Sequence, residues 1–272
     1  NSIGHLLLNI SDPQLATQFM VVSILISISL VPILITVSKQ PDFSVTEFLS
    51  VRQLYIASPL GVIAAIIVGA CHGALWGAGA VYGLNAGLDL QKVSIFMFTF
   101  VSGGAIFQYY IGYLSDKYDR RIVITYVSFF SSLLCIFAII FNFGFIYLIL
   151  ITFIFGGLTV PLYSLAIAHT NDFLTKSEMV AASGGLLLVG GIGLAMGPIV
   201  SGLFMDILGA NGFWIYLFIS HAAIGIFALY RISIRDSVPL EEQGSAVLIN
   251  SRMSPVAMEL YPEAEESTDN EN

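Results

Sequence analysis

Seven long apolar segments dominate the sequence, and they are separated by short polar connections. Of 272 residues, 57% are hydrophobic and only 10% are charged, which is far from the composition of soluble domains. Each segment has about the 20 residues needed to cross a bilayer core, where the backbone must satisfy its own hydrogen bonds. The sequence therefore predicts an all-α integral membrane protein with the lipid bilayer as its main partner. The segments lie at 17–37, 57–83, 93–113, 121–141, 145–168, 180–208 and 212–231.

The formal net charge of −8 belongs to one end of the chain. From Asp236 onward there are nine acidic residues and one basic residue, Arg252, so the remainder is neutral. The acidity therefore does not predict a binding surface, and we expect no nucleic-acid partner. Residues 233–272 are rich in Glu, Ser and Pro and poor in aromatics, which predicts an acidic, disordered cytoplasmic tail.

Metal, disulfide and nucleotide chemistry have no support in the sequence. Cys71 and Cys135 lie in different apolar segments, without His or Cys neighbours at metal-ligand spacing. Both are expected to be ordinary buried thiols. No phosphate-binding loop is present. We expect no cofactor, no metal and no enzymatic activity.

A charged loop at 112–121, called the signature loop below, joins the third and fourth apolar segments. It holds three of the ten basic residues of the chain. Hydrocarbon does not hold so many charges, and basic residues in short loops favour the cytoplasmic face. Asp116 is expected to pair with an arginine or to lie at a helix N-terminus. With this loop inside, only Lys92 is outside, and nine basic residues are cytoplasmic: Lys39, Arg52, Lys117, Arg120, Arg121, Lys176, Arg231, Arg235 and Arg252.

The order Gly-x-Leu-Ser-Asp-Lys-x-x-Arg-Arg in this loop resembles the signature of the major facilitator superfamily, which recurs after the second and eighth helices. Asp119 departs from the glycine usual there, and Tyr110 stands where many members have proline. Softer motifs resemble the YcaD-like branch of that superfamily. They are Ser58-Pro59-Leu60-Gly61, Gly103-Gly104, Gln108 and His169-x-Asn171-Asp172.

The resemblance implies a helical bundle whose C-terminal six-helix half is residues 57–232 and is preceded by one further spanning helix. Residues 1–37 would be the end of helix five and helix six of the N-terminal half, and residues 38–56 the cytoplasmic linker between the halves. Because the pattern starts in mid-helix, we interpret the chain as a C-terminal fragment whose partner is the missing N-terminal half. The bundle is expected in the plasma (bacterial inner) membrane, with a cytoplasmic C-terminus.

Two interpretations of the linker remain open. Ser44-x-x-Glu47 is a capping-box pattern, and Phe48, Val51 and Tyr55 recur at helical spacing. This pattern favours a short amphipathic helix on the cytoplasmic surface. The alternative is an unstructured linker.

Small residues predict where helices touch. Gly69, Gly73 and Gly77 belong to a stripe at i+4 spacing that begins at Gly61, and they allow close backbone approach in hydrocarbon. A dense run of glycines also softens this helix. The segment 180–208 carries Gly193 and Gly197-Pro198, which resembles a Gly-Pro motif of antiporter members and predicts close packing with a kink.

Four residues are candidate contacts for a substrate. His72 is an ionisable residue near mid-depth, with Trp76 one turn away. Thr159 and Tyr163 flank Pro161 in a helix that Gly156, Gly157 and Pro161 are expected to interrupt. The alternatives are a neutral His72 bonded to a backbone carbonyl, and Thr159 and Tyr163 bonded to carbonyls freed by the proline. His221 is interpreted as a packing histidine.

The predicted function is secondary active transport of a small solute by alternating access, with proton coupling left open. Gly112, Asp116, Lys117, Arg120 and Arg121 form the expected gating motif, in which Asp116 and the two arginines bridge helices when the cytoplasmic face is closed. No Asp or Glu lies in the middle of an apolar segment. The aromatic, uncharged candidates favour a neutral or amphipathic solute.

Two rival classes fit the sequence less well than transport does. A seven-helix receptor would not explain the signature loop. An intramembrane hydrolase could use His169 with Asp172 or Ser164, but these residues lie at a helix end without a Gly-x-Ser-x-Gly arrangement.

Overall fold

A computed structural model describes residues 16–35, 49–141 and 144–234, together with Gly4. Every regular element in these ranges is helical. Among the described residues, six helices are long and apolar enough to cross a membrane, which confirms the all-α membrane bundle. The elements are α1 (Thr17–Ile35), α2 (Val51–Ala57), α3 (Pro59–Gly73), a π turn (Ala74–Ala78), α4 (Gly79–Asn85), α5 (Leu90–Lys117), α6 (Arg120–Ile140), α7 (Phe145–Asn171), α8 (Lys176–Leu208) and α9 (Asn211–Ile234).

The helix that precedes the bundle, α1, is shorter in its apolar stretch than the other six. That stretch covers Thr17–Pro32, below the length of a full span, and the segment had been predicted to reach residue 37. Nearly all of its described side chains are exposed, including Phe19 and Ile28. The acidic tail and most of the linker, with the Ser44–Glu47 capping pattern, lie outside the described residues.

The end of the linker forms a short helix, but with a different cap from the one in the sequence pattern. Ser50 caps α2 by accepting a hydrogen bond from the Gln53 backbone, and the Gln53 side chain accepts one from the Ser50 backbone. Val51 and Tyr55 are exposed on this helix, whereas Leu54 is fully buried. The described part of the linker is therefore helical from Val51 and anchored by one leucine.

The first spanning helix changes its hydrogen-bonding pattern halfway along. It begins at Pro59 behind the cap residue Ser58, continues as α3, widens into the π turn and resumes as α4. A π turn inserts a residue into the helical ladder and is often found at functional sites. The softening expected from the glycine stripe thus takes a specific form at Ala74–Ala78.

Glycines bring the backbones of α3 and α8 into direct contact. A Cβ at Gly69 would meet the carbonyl oxygen of Gly190, and one at Gly73 would meet that of Leu194. On α8, a Cβ at Gly193 would meet the carbonyl oxygen of Ile66, and one at Gly197 would meet that of Ala70. At the π turn, a Cβ at Gly77 would lie 2.6 Å from the ring of Pro198. All six predicted packing residues therefore lie at one interface.

A second glycine contact joins α5 to α7. A Cβ at Gly103 would meet the carbonyl oxygen of Phe153, and one at Gly156 would meet that of Phe100. The expected interruption of α7 is absent, because this helix is continuous through Pro161 from Phe145 to Asn171. The Gly156-Gly157 pair allows close packing and does not break the helix.

We predict that Gly193→Ala destabilises the bundle while Gly191→Ala does not. A methyl group at Gly193 would meet the Ile66 carbonyl, whereas a methyl group at Gly191 would have nothing within 4 Å. Overpacking costs about 1–3 kcal/mol, and alanine gains up to about 1 kcal/mol over glycine in an open helical position. Unfolding measured in mild detergent should show a lower free energy of unfolding for Gly193→Ala only. Equal losses would contradict the contact.

Candidate functional site

The signature loop is much more helical than expected. α5 continues through Lys117 and α6 begins at Arg120, so the connection is only Tyr118 and Asp119. The predicted end of the third segment at residue 113 is therefore wrong by one turn. The start of α6 has a local cause, because Asp119 caps this helix by accepting a hydrogen bond from the Arg121 backbone N–H at 2.9 Å. The charged residues thus stand on two helix ends.

Arg120 forms a buried ion pair with Asp172 at the end of α7. Its Nη1 lies 2.6 Å from Asp172 Oδ1, and the two side chains are 2% and 3% exposed. The same Nη1 donates to the carbonyl oxygen of Ala168 at 2.8 Å. We call Arg120 with Asp172 the buried clamp. It ties the start of α6 to the end of α7.

Arg121 pairs with Asp119, the residue that departs from the usual glycine. Its Nε and Nη2 donate to both carboxylate oxygens of Asp119, at 3.0, 3.1 and 2.6 Å. Burial tends to raise the pKa of Asp119, but the hydrogen bonds from Arg121 outweigh it and hold that pKa below its ordinary value of 3.8. The substitution thus supplies a local partner for the second arginine.

Asp116 is the exposed acidic residue of this group. Its side chain is 40% exposed and lies 3.5 Å from Arg120 Nη2, a much longer contact than the buried clamp. Lys117 lies over the ring of Tyr113, with its Nζ 4.4 Å from the ring centroid. Gly112 is buried in α5. The expected pairing of Asp116 with an arginine is thus present, but the principal partner of that arginine, Arg120, is Asp172.

Burial gives Asp172 an unusual protonation equilibrium. Its loss of hydration raises the pKa of Asp172 to about 6, although Arg120 acts in the opposite direction. Desolvation of a buried pair can exceed the attraction between its members. The buried clamp is therefore ionic at neutral pH and becomes protonated in mildly acidic solution.

A second polar group crosses the interior of the bundle and joins α3, α7 and α9. His72 Nε2 lies 3.2 Å from the carbonyl oxygen of Thr159, and Thr159 Oγ1 lies 3.1 Å from His221 Nε2. His221 Nδ1 is 2.8 Å from the Leu217 carbonyl, which only accepts, so Nδ1 carries the hydrogen. In the neutral ring Nε2 then accepts from the Thr159 hydroxyl. We call these three residues the interior polar chain.

The four candidate substrate contacts differ in how far their side chains are buried within the bundle. His72 and Tyr163 are buried, and Thr159 is completely so, whereas Trp76 is partly exposed on the π turn and packs edge-on against Phe100. The hydroxyl of Tyr163 donates to the Leu186 carbonyl on α8 at 3.4 Å. Neither Thr159 nor Tyr163 bonds a carbonyl freed by Pro161. His72 does lie beside a carbonyl, as its alternative interpretation required.

Two residues of these groups were not predicted to act there. The sequence places Asp172 in the His169-x-Asn171-Asp172 motif and as a possible partner of His169 in a hydrolase, and it predicts a packing role for His221. A sequence signal existed for Asp172, because a carboxylate at the end of a spanning helix lies at the same membrane face as the signature loop. No such signal pointed His221 towards Thr159. Within the described residues, no group of three or more His, Cys, Asp or Glu could hold a metal ion.

Comparisons with known proteins agree with this architecture. A family model described as Major Facilitator Superfamily matches residues 61–256, more than half of the chain. The chain is 29% identical over 236 residues to an uncharacterized MFS-type transporter, YcaD, of Escherichia fergusonii, covering 85% of the chain and 59% of that relative. It is 28% identical over 231 residues to an uncharacterized MFS-type transporter, YE1530, of Yersinia enterocolitica, covering 84% and 58%. The chain thus spans about three fifths of the length of these relatives. No solved structure matches.

We predict that Asp172→Ala is far more destabilising than Asp116→Ala. Removing Asp172 leaves the Arg120 cation buried without its closest carboxylate, which costs about 3–5 kcal/mol. Asp116 is largely solvated, and loss of an exposed ion pair costs at most about 1 kcal/mol. Unfolding free energies of the purified variants would test the difference. Similar losses would show that the buried clamp is not the dominant contact.

The raised pKa of Asp172 predicts a pH dependence with a definite sign. Between its ordinary value of 3.8 and about 6, the folded protein binds a proton that the unfolded chain has released. The free energy of unfolding from this group therefore falls as the pH rises through that window and is constant above it. Asp172→Asn should flatten the profile measured between about pH 4 and 7. Asp89→Asn, an exposed carboxylate at the opposite end of the bundle, is the control and should keep it. An unchanged slope in Asp172→Asn would refute the assignment.

Proposed function

Because the chain belongs to the major facilitator superfamily, we propose that it is part of a secondary active transporter that moves a small solute by alternating access. The observation that carries the proposal is the buried clamp between Arg120 and Asp172, set at the signature-loop end of six spanning helices. Such a clamp rigidifies one face of a bundle, and alternating access requires rigid bundles that rock against each other.

The first step of the mechanism is to keep the six helices together as one moving body. The α3–α8 and α5–α7 pairs touch through their backbones, and α6 is held to α7 by the buried clamp. Packed interfaces of this kind have discrete arrangements and do not deform continuously. Motion would therefore occur at the surface where this bundle meets the other half of the transporter, which is its proposed partner.

The second step assigns the gate to Asp116. Arg120 and Arg121 are 2% and 7% exposed, so a contact that breaks in every cycle would have to expose buried guanidinium groups. Asp116 is 40% exposed at the end of α5 and is accessible to a group from outside the bundle. We therefore propose that Asp116 makes the breakable contact and that the arginines hold the helix ends from which it projects, together with Gly112 and Lys117.

The orientation follows from the distribution of basic residues along the chain. In this proposal the signature-loop end is cytoplasmic, as is the C-terminus, and the membrane is the bacterial inner membrane. Residues 57–232 would form the C-terminal half, and residues 38–56 would link it to the N-terminal half. The positive-inside bias supports this arrangement, with Lys92 alone at the opposite end.

For the substrate, we propose a neutral or amphipathic solute in contact with the π-turn region. Trp76 is the accessible member of the four candidates, and Tyr163, Thr159 and His72 lie behind it in the interior. π turns often occur at functional sites, and a change in the hydrogen bonding of this one would allow the interior side chains to reach a bound solute. Transport of polyanions alone would contradict this part of the proposal.

Proton coupling is the finer part of the proposal, with His72 as the titrating group. In the described spanning helices no Asp or Glu lies near mid-depth, whereas His72 and His221 do. His72 belongs to the same helix as Trp76, one turn away, so its charge would be felt at the proposed solute contact. A seven-helix receptor or an intramembrane hydrolase is less favoured, since the carboxylate of Asp172 that a hydrolase would need is held by Arg120.

The direct test is a solute screen with the full-length protein in inverted membrane vesicles, with and without a proton gradient. We expect gradient-driven accumulation of at least one neutral or amphipathic solute, and Asp116→Asn should lower its rate while leaving membrane insertion unchanged. Asp89→Asn, an exposed carboxylate at the opposite end, is the matched control and should transport normally.

Each part of the proposal fails on a different outcome of this screen. Normal transport by Asp116→Asn would remove the gate. Full gradient dependence in His72→Gln would remove His72 as the proton site. No accumulation of any solute by the wild-type protein would contradict the transport function itself.

A further inference from the structure

A small cleft opens at the signature-loop end of the bundle, and basic side chains line it. It lies where α3 and α6 begin and α7 and α9 end, and its innermost space is about the size of one water molecule. We call it the basic cleft. The residues that line it include Ser58, Arg121, His169, Phe173 and Arg231.

The charges around the basic cleft do not cancel. Asp119 neutralises Arg121, since it accepts three hydrogen bonds from that guanidinium group. Asp172 and Asp116, the other carboxylates at these helix ends, both pair with Arg120. Arg231 forms no ion pair with any described residue, so its positive charge remains. Protonation of His169 would add a second positive charge.

Helix dipoles do not decide which ion the cleft prefers. Two helices present their positive N-terminal ends here, and two others present their negative C-terminal ends. These contributions oppose each other. The side chain of Arg231, joined by His169 when that ring is protonated, therefore sets the sign of the field, and that sign favours an anion.

The shape of the basic cleft favours one oxygen atom of a larger anion. Only an oxygen-sized atom fits the innermost space, and the rest of the group would lie at the open mouth. Guanidinium groups match phosphate oxygens in geometry as well as charge. Pro59, Leu60 and Phe173 supply apolar walls that suit the carbon atoms next to a phosphodiester.

We propose that the basic cleft binds a phosphate group, with the phosphodiester of an anionic lipid as its occupant in the membrane. Basic pockets between spanning helices at the cytoplasmic level are suited to such headgroups. This inference uses the orientation proposed above to assign the leaflet, but the binding itself does not depend on transport. Inorganic phosphate shares the same chemistry and is the second source to be distinguished.

The test measures binding of short-chain phosphatidylglycerol to the purified chain in a neutral detergent, with phosphatidylcholine as the reference lipid. We expect preferential binding of phosphatidylglycerol and about tenfold weaker binding for Arg231→Gln, the loss of one charge-assisted contact. Arg231→Lys should retain most of the affinity. Arg52→Gln removes an exposed arginine of α2 and should bind like the wild type.

Competition with inorganic phosphate at constant ionic strength then identifies the source. Displacement of the lipid assigns the cleft to phosphate in general, and failure to displace it assigns the cleft to the lipid headgroup; both support a phosphate site. Equal losses in Arg231→Gln and Arg52→Gln, or no preference over phosphatidylcholine, would overturn the proposal. If Arg231→Gln does not elute as a folded species, His169→Gln takes its place under the same criteria.

Discussion

Close backbone contact between helices is the constraint on which the rest of this structure depends. Lipid tails are as apolar as leucine, so burial of side chains supplies little drive for one spanning helix to prefer another over lipid. The glycines of α3 and α8 remove the side chains that would separate the two backbones. Gly103 and Gly156 do the same for α5 and α7. These two contacts set the relative positions of α3 and α8 and of α5 and α7, the helices that carry His72, Thr159 and the first part of the signature loop.

The buried clamp adds a polar constraint to this apolar packing. Arg120 is held by Asp172 and by the Ala168 carbonyl, so the start of α6 has one orientation relative to the end of α7. Burial makes this ion pair costly, which the raised pKa of Asp172 expresses, yet removal of either partner would leave the other charge stranded. Such a pair serves specificity of arrangement more than net stability. It also leaves Asp116 as the exposed carboxylate beside a rigid helix end.

The π turn lies close to His72, the member of the interior polar chain that belongs to the same spanning helix. His72 is two residues before the π turn, and Trp76 is within it. Pro198 of α8 packs against Gly77 of the π turn. A rearrangement of the π turn would therefore be felt at His72, at Trp76 and at the α3–α8 contact together.

The sequence by itself determined the type of the spanning helices and their positions to within about one turn, although it predicted seven of them and the described residues contain six of full spanning length. The reason is that each helix in a bilayer must satisfy its backbone hydrogen bonds internally, so its apolar length and its caps are local properties. The glycine spacing of α3 likewise predicted a close contact, although not its partner. Only the tertiary structure decided which groups separated along the chain meet: Arg120 with Asp172, and Thr159 with His221. Those pairings depend on how the helices pack side by side, which the order of residues within a single helix does not specify.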